Sequence, residues 1–519
     1  MAAAIEQAMS DEQALAQVFM LGWVGAEPSP LIMDWIRQRN IGGVKIFGWN
    51  TDDTQKLART IGTLQKVSLE GHFNIPLLMA TDQEGGWIRH VKGSTSETPG
   101  NMAIGASGYP RDAYLSGYYI GKELAVLGVN MNFAPTVDLF TNRDSSLIGP
   151  RAFGSDPVKT GIFGAAFMKG QLDAGVIPTA KHFPGHGDTD LDSHGILPQI
   201  NLNFETLWGR ELVPYRMLAG EGIPAIMSGH LAFPKTGAAS APASLSAWFL
   251  KNVLREKIGF RGVIVTDDLM MNGAAMWAGS VSRAARQALL AGNDIIMLSQ
   301  TPFLSDPVWT SLSAAMRDNA EFRSCVRNAC RRVLEMKLKY LRAKTAVPYI
   351  PDIRRVENEL PDPEGSAFFL NLAARSVTIV RNRKTSNEAF TLPLKPENAG
   401  RVLLAGQFGD FFRTGRTAFP AAVSYRFSGS DTAELLQHAR NADTIIFCIS
   451  DASGLRLLRS LESLKKRIVV LSVLSPVYLE SVPWADAAVA VYSYAPESFT
   501  AAFSAITGRI EARGQLPYD

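Results

Sequence analysis

The stretch GVIPTAKHFPGHGDTDLDSHGILP, residues 175–198, sets an apolar run against a polar, turning segment. Three of the chain's seven histidines, His182, His186 and His194, lie within it, with Asp188, Asp190 and Asp192 between or beside them. The polar part has no apolar period, and Pro184, Gly185 and Gly187 force a bent path, which rules out a core strand or an amphipathic helix there. A polar loop launched from a buried strand is where catalytic groups tend to sit.

Outward from this stretch the same pattern recurs. Apolar strand-like runs occupy residues 18–22, 43–47, 75–81, 129–135, 177–183, 223–228, 262–266 and 293–298, separated by longer helical patterns. Ser10-Asp11-Glu12-Gln13 precedes the first and reads as a helix start with acidic residues in its first turn. Runs apolar on both faces and alternating with helices indicate a parallel sheet covered on both sides. Eight of them fit a (β/α)8 TIM-like barrel, with a doubly wound open sheet as the alternative. Polar residues favour the barrel: Asp82, Asp138, Lys181-His182, His230, Asp267-Asp268 and Ser299 each fall at the C-terminal end of a separate run. A barrel gathers strand ends into one site, whereas an open sheet spreads them.

The composition changes after Leu341. Residues 346–365, AVPYIPDIRRVENELPDPEG, are rich in proline and charge and read as a linker. A second strand-helix alternation follows, with strand candidates at 376–380, 401–405, 423–427, 444–450, 467–473 and 487–492. The domain expectation is therefore a barrel over 1–345, a linker over 346–365, and a smaller α/β domain over 366–519. The turn Gly406-Gln407-Phe408-Gly409 lacks the spacing of a nucleotide loop and reads as a turn.

Composition narrows the partners. With 519 residues, 46% apolar, 19% charged and a net charge of +3, the chain has the profile of a multidomain globular protein, and its scattered Lys and Arg make no case for nucleic acid. No run approaches the ~20 apolar residues of a membrane span. The N-terminal segment has acidic residues and no basic stretch leading into an apolar core, so a cytoplasmic location is expected, or an exported one if a leader has been removed. Three cysteines, Cys325, Cys330 and Cys448, suit a reducing compartment and are expected as buried free thiols.

Several residues carry candidate chemistry, each with a plainer reading beside it. Asp192 and His194 form an acid/base dyad if the loop bends back on itself, because a carboxylate on one ring nitrogen orients the imidazole and favours its charged form. A solvated loop with capping aspartates is the alternative. His182, His186 and His194 with the aspartates also offer metal-ligating atoms, but no two histidines sit at helical i, i+4 spacing, so no metal or cofactor is expected. Asp267 ends an apolar strand and is the better nucleophile, while Asp268 orients it or caps the next helix. Asp82 in TDQEGG and Arg151 in GPRAFG read by default as a loop-starting aspartate and a surface arginine.

KHFPGHGDTDLDSH, VTDDLMMNGA, TDQEGG, NFAPTVD (132–138) and PRAFG together resemble glycoside hydrolase family 3 and, more narrowly, its β-N-acetylglucosaminidases (β-hexosaminidases), over residues from about 10 to 340. The second domain more loosely resembles the αβα sandwich that many members append. The resemblance implies a retaining mechanism with Asp267 as nucleophile, His194 as acid/base and Asp192 as its partner. It implies that Asp82, Arg151, Lys181 and His182 hold the hydroxyls of a terminal N-acetylglucosamine, and it points to small or oligomeric peptidoglycan fragments as substrate. One departure stands out. Where family members carry an arginine eight positions after the aspartate, this chain has His90, with Arg89 before it and Trp87 in the turn. The expected activity is an exo-β-N-acetylglucosaminidase, its second domain structural and remote from the chemistry. The rivals are a phosphorylase on the same fold, a β-glucosidase without acetamido preference, a metal-dependent hydrolase, and a non-catalytic amino-sugar-binding protein.

Overall fold

Strands buried on both faces need covering on both sides, and in this chain they close on themselves. The computed structural model describes residues 1–145, 147–189, 197–384, 388–429 and 432–519. Ten strands occur in the first part: β1 Phe19–Gly22, β2 Gly43–Ile46, β3 Leu78–Thr81, β4 Gln83–Gly85, β5 Ile88–Arg89, β6 Met131–Asn132, β7 Ile177–Phe183, β8 Ala225–Ser228, β9 Val263–Asp268 and β10 Ile295–Leu298. All but β4 and β5 form a closed parallel barrel in the order β1-β10-β9-β8-β7-β6-β3-β2. Each of its strands falls within, or within two residues of, an apolar run of the sequence. The helix Asp11–Ala16, which leads into β1, starts where Ser10 and Gln13 make a reciprocal capping box.

Met20, Leu78, Met131, Phe133, Ile177, Met227, Val265 and Met297 fill the barrel interior, and Val333, Met336 and Leu341 join them from the helix Ala320–Tyr340 and its end. Packing closes that side, and Asp82, His230 and Asp267 sit at the opposite, C-terminal mouth. Close approach also restricts residue choice. A Cβ on Gly22 would lie 2.3 Å from the Ser299 carbonyl oxygen, so β1 can meet the end of β10 only with glycine there.

The second part holds β11 Thr378–Asn382, β12 Val402–Gly406, β13 Val423–Arg426, β14 Thr444–Ile449, β15 Arg467–Ser472 and β16 Ala487–Ala490, in the order β11-β16-β15-β14-β12-β13. β11 runs antiparallel to β16 and the other pairs are parallel. Helices cover both faces. Phe411, Phe412, Phe499 and Phe503 pack on one, and Leu435, Ala439, Leu457 and Leu458 on the other, which makes the αβα sandwich expected from the sequence.

The stretch 346–365 carries a helix, Ile353–Glu359, and Val356 and Leu360 are buried against the barrel helices. Ile353, Val356 and Leu360 give it a short apolar stripe that its prolines and charges mask. Glu123 then accepts from the Asp362 N–H at 2.9 Å and Lys122 pairs with Asp362 at 2.6 Å, fixing the chain to the barrel before the next helix. Among the cysteines, Cys330 and Cys448 are buried, but Cys325 is only half-buried. No helix among the described residues is long and apolar enough to cross a membrane.

Candidate active site

A lysine in the middle of a parallel strand must find a carboxylate or it will not stay charged. Lys45 on β2 and Lys181 on β7 find the same one: both ammonium groups pair with Asp82, which follows β3, the former at 2.7 Å. Burial alone would raise the Asp82 carboxyl, but Lys181 and Lys45 hold it well below the usual carboxylate range. Lys181 also reaches Glu84 on β4 at 2.6 Å. Arg151, in the turn Gly149–Arg151, completes the cluster with a two-pronged contact to Glu84, Nε to Oε2 at 2.9 Å and Nη2 to Oε1 at 2.8 Å. Against burial, Arg151 and Lys181 bring the Glu84 carboxyl down to about 2. Arg151 is therefore no surface arginine; it is a buried member of the floor.

His182 on β7 bridges this floor to a second pair. Its Nδ1 lies 2.7 Å from Asp138 Oδ2, and its Nε2 lies 3.4 Å from Arg151 Nη2. A carboxylate can only accept and a guanidinium can only donate, so the ring proton sits on Nδ1. Asp138 also accepts the backbone N–H of His182 and of His186. His186 packs edge-on to His182, with ring centroids 5.7 Å apart, and its ring nitrogens have no partner among the described residues. Burial takes its imidazole down to about 4.

Asp267, the last residue but one of β9, lies across the mouth. Burial opposes its ionisation, yet the His182 and His230 imidazoles and the Asp268 N–H, which donates to Oδ1 at 2.8 Å, keep the carboxyl below its ordinary value. His230, after β8, is locked by Ser244 Oγ at 2.7 Å and by the Asp268 carbonyl at 2.9 Å. A carbonyl only accepts, so Nε2 carries the proton and Nδ1 receives the serine hydroxyl. Asp268 itself accepts the Met270 and Ser299 N–H groups at 3.0 Å each, so its carboxylate is turned toward the loops after β9 and β10.

The structure thus brings Asp82, Arg151, Lys181, His182 and Asp267 to one mouth. Asp192 and His194 lie outside the described residues. Lys45 and Glu84 escaped the sequence reading. A lone lysine inside an apolar run, and an acid two residues after Asp82 on the same face of an extended chain, are the signals that could have found them. Among the described residues, no three His, Cys, Asp or Glu side chains converge as a metal ion would require.

The second domain is not remote from this site. Ile148 and Ala152, which flank Arg151, share a core with Tyr425, Phe447, Leu479 and Tyr492 of the sandwich. Phe140 meets the Tyr518 ring edge-on at 5.0 Å, and Arg143 pairs with Glu480 at 2.5 Å. Trp87, at the tip of the β4–β5 hairpin, lines a cavity of about 120 Å³ with Arg89, Lys92 and Tyr494, the last from the sandwich.

A TIM-like barrel with a carboxylate at the end of one strand and a buried ionic floor at the ends of its neighbours supports many chemistries, and the comparisons identify the class. Residues 12–336 match the glycosyl hydrolase family 3 N-terminal domain, and the chain belongs to that family of glycoside hydrolases. A β-hexosaminidase from Tolumonas auensis is 36% identical over 281 residues, 54% of this chain and 81% of that relative. A family 3 β-N-acetylglucosaminidase from Paenibacillus superposes with a TM-score of 0.88 at 28% identity, covering 99% of both chains. A fungal multidomain family 3 β-N-acetylglucosaminidase gives a TM-score of 0.91 at 30% identity, over 98% of this chain and 61% of its own.

Proposed function

We propose that this chain is a retaining exo-β-N-acetylglucosaminidase that removes terminal β-linked N-acetylglucosamine, with peptidoglycan fragments as its substrate class. The observation that carries the reading is Asp267. It is a half-buried carboxylate kept ionised near a strand end, facing a floor whose most open charged member, Asp82, has both oxygens held in place by lysines. A neutral sugar needs such a floor: fixed acceptors and donors for its hydroxyls, with the charges already paired. The names of the relatives support the acetamido sugar.

In this reading Asp267 attacks C1 and forms a covalent glycosyl ester while His194, kept protonated by Asp192, gives its proton to the departing oxygen. Neutral His194 then takes a proton from water, which displaces Asp267. A retaining glycosidase more often pairs its nucleophile with a second carboxyl that holds a proton. Asp82, Glu84 and Asp138 are poor candidates for that role, because each is pushed below its ordinary range by paired cations or imidazoles. Burial raises the Asp268 carboxyl, but that group is tied to the Met270 and Ser299 N–H groups, which leaves a histidine acid favoured.

The test is release of 4-nitrophenol from the β-N-acetylglucosaminide and the β-glucoside, side by side, with EDTA and phosphate controls. Selective, chelator-resistant cleavage of the acetamido substrate is expected, giving free sugar and no sugar 1-phosphate. Asp267→Ala is expected to lower kcat at least about 1,000-fold, the scale on which loss of a catalytic nucleophile is felt; a variant within tenfold of wild type would sink the assignment.

A further inference from the structure

Lys45 lies in the otherwise apolar β2, and its side chain is 1% exposed. Its ammonium group has three neighbours at hydrogen-bond distance: the Ile46 carbonyl at 2.8 Å, Asp82 Oδ2 at 2.7 Å, and His90 Nδ1 at 3.2 Å. The Phe47 ring covers it at 4.2 Å. An ammonium group has only hydrogens to give, so at 3.2 Å His90 Nδ1 is its acceptor and carries no proton, while Asp82 Oδ2, 3.6 Å from that ring nitrogen, is beyond hydrogen-bond distance. A neutral imidazole then holds its proton on Nε2.

The His90 ring is held in place. Its backbone N–H donates to the Asp82 carbonyl at 3.0 Å, and its own carbonyl accepts from Thr51 Oγ1 at 2.5 Å. The ring lies 5.8 Å from that of Phe47. With Nδ1 turned to the buried lysine, Nε2 is left on the open side: the His90 side chain is 30% exposed against 14% for Asp82. Among the described residues Nε2 has no hydrogen-bond partner. The charges acting on the ring are Lys45, Asp82, Lys181 and Glu84; burial first, then Lys45, outweigh Asp82 and bring the imidazole down to about 4.

We propose that His90 is a sugar-binding residue, its Nε2–H donating to a hydroxyl oxygen of the ring lodged against Asp82, and that Lys45 is the positioning residue that fixes this tautomer. The ligand class rests on the glycosidase reading; the tautomer does not. The wall that His90 adds is a neutral donor beside an acceptor, Asp82. It suits one sugar hydroxyl bonded twice, giving its proton to the carboxylate and taking the imidazole N–H.

Two measurements test this on the full chain. The first compares wild type, His90→Leu and His90→Gln on the 4-nitrophenyl β-N-acetylglucosaminide and its 3-, 4- and 6-deoxy analogues. His90→Leu is expected to lower kcat/KM about 10- to 100-fold, the range of one lost hydrogen bond. His90→Gln, which keeps a neutral N–H donor, should recover to within about fivefold. On one deoxy analogue the His90→Leu loss should disappear, because the acceptor has gone from the sugar instead. A variant with undiminished kcat/KM, or one equally impaired on every analogue, would overturn the proposal. The second is the ¹⁵N spectrum of histidine-labelled protein, in which His90 should show a bare Nδ1 and a protonated Nε2, and Lys45→Met should mix the tautomers. A protonated Nδ1 in wild type would refute the Lys45 role. If the wild type cleaves no hexosaminide, the glycosidase reading fails while the spectrum still decides the tautomer.

Discussion

Glu84→Gln tests the floor of the site most directly, because it removes one charge and almost no volume. The Glu84 carboxyl falls from an ordinary 4.5 to about 2, so the folded surroundings favour its ionised form. By linkage this is about 3 kcal/mol of stability at neutral pH. The sign follows from the direction of the change: the contribution is complete above pH ~4.5 and is lost as pH falls toward ~2, with about half gone near pH 3. Gln mimics the protonated acid, so the variant should be less stable by about 3 kcal/mol at pH 7, and the gap should narrow on acidification. Chemical denaturation of both proteins at pH 7, 5 and 3, followed by tryptophan fluorescence, measures it; the other carboxylates are common to both and cancel. Activity should fall as well, since Arg151 and Lys181 lose the carboxylate that aims them, and a decrease in kcat/KM of about 100-fold is expected. A gap below about 1 kcal/mol at pH 7, or one that does not change with pH, would refute the claim that Glu84 is held ionised by its cations.

Two further outcomes probe other parts of the chain. Lys337 is buried near the N-terminal ends of β1 and β2 with Gln17 Oε1 at 3.0 Å, and burial brings its amine down to about 7. Lys337→Met should therefore be more stable than wild type at pH 7, by about 2–3 kcal/mol after the lost hydrogen bond is counted, with unchanged activity. Because a lysine lowered in the folded state makes stability rise with pH, the advantage should shrink between pH 7 and 10.5; thermal unfolding across that range checks it. Tyr518→Ala removes the ring under Phe140 and beside Arg143. It should loosen the Arg151 loop and raise KM about 3- to 10-fold with a smaller change in kcat; an unchanged KM would mean that the sandwich only stabilises.

The barrel was legible because its strands are buried on both faces and so are written as apolar runs, and because six of the eight runs end in polar residues that the closed topology then gathers. Asp267, Lys181 and His182 could be read that way. The pairing of Arg151 with Glu84 could not, since the two are 67 residues apart and nothing local to either announces the other. The same limit hid the reach of the second domain, whose core continues under the loop that presents Arg151. Local pattern reports what a segment buries, whereas pairing across the mouth depends on which strand ends the barrel makes neighbours.

Lys45 shows how the two kinds of information combine. One lysine in an apolar strand is a demand for a counter-charge, and the order β3-β2 puts Asp82 within reach to meet it. Two lysines on one aspartate leave Asp82 with both oxygens held and its direction fixed. The sugar then meets an acceptor that need not reorganise, which is the condition under which a buried charge contributes most to binding and to the transition state. Replacing Lys45 with methionine would leave Asp82 ionised by Lys181 alone and free to turn. The expected result is weaker binding with the chemistry at Asp267 preserved, visible as a rise in KM that exceeds any fall in kcat; the reverse pattern would mean that Lys45 acts on the reacting centre instead.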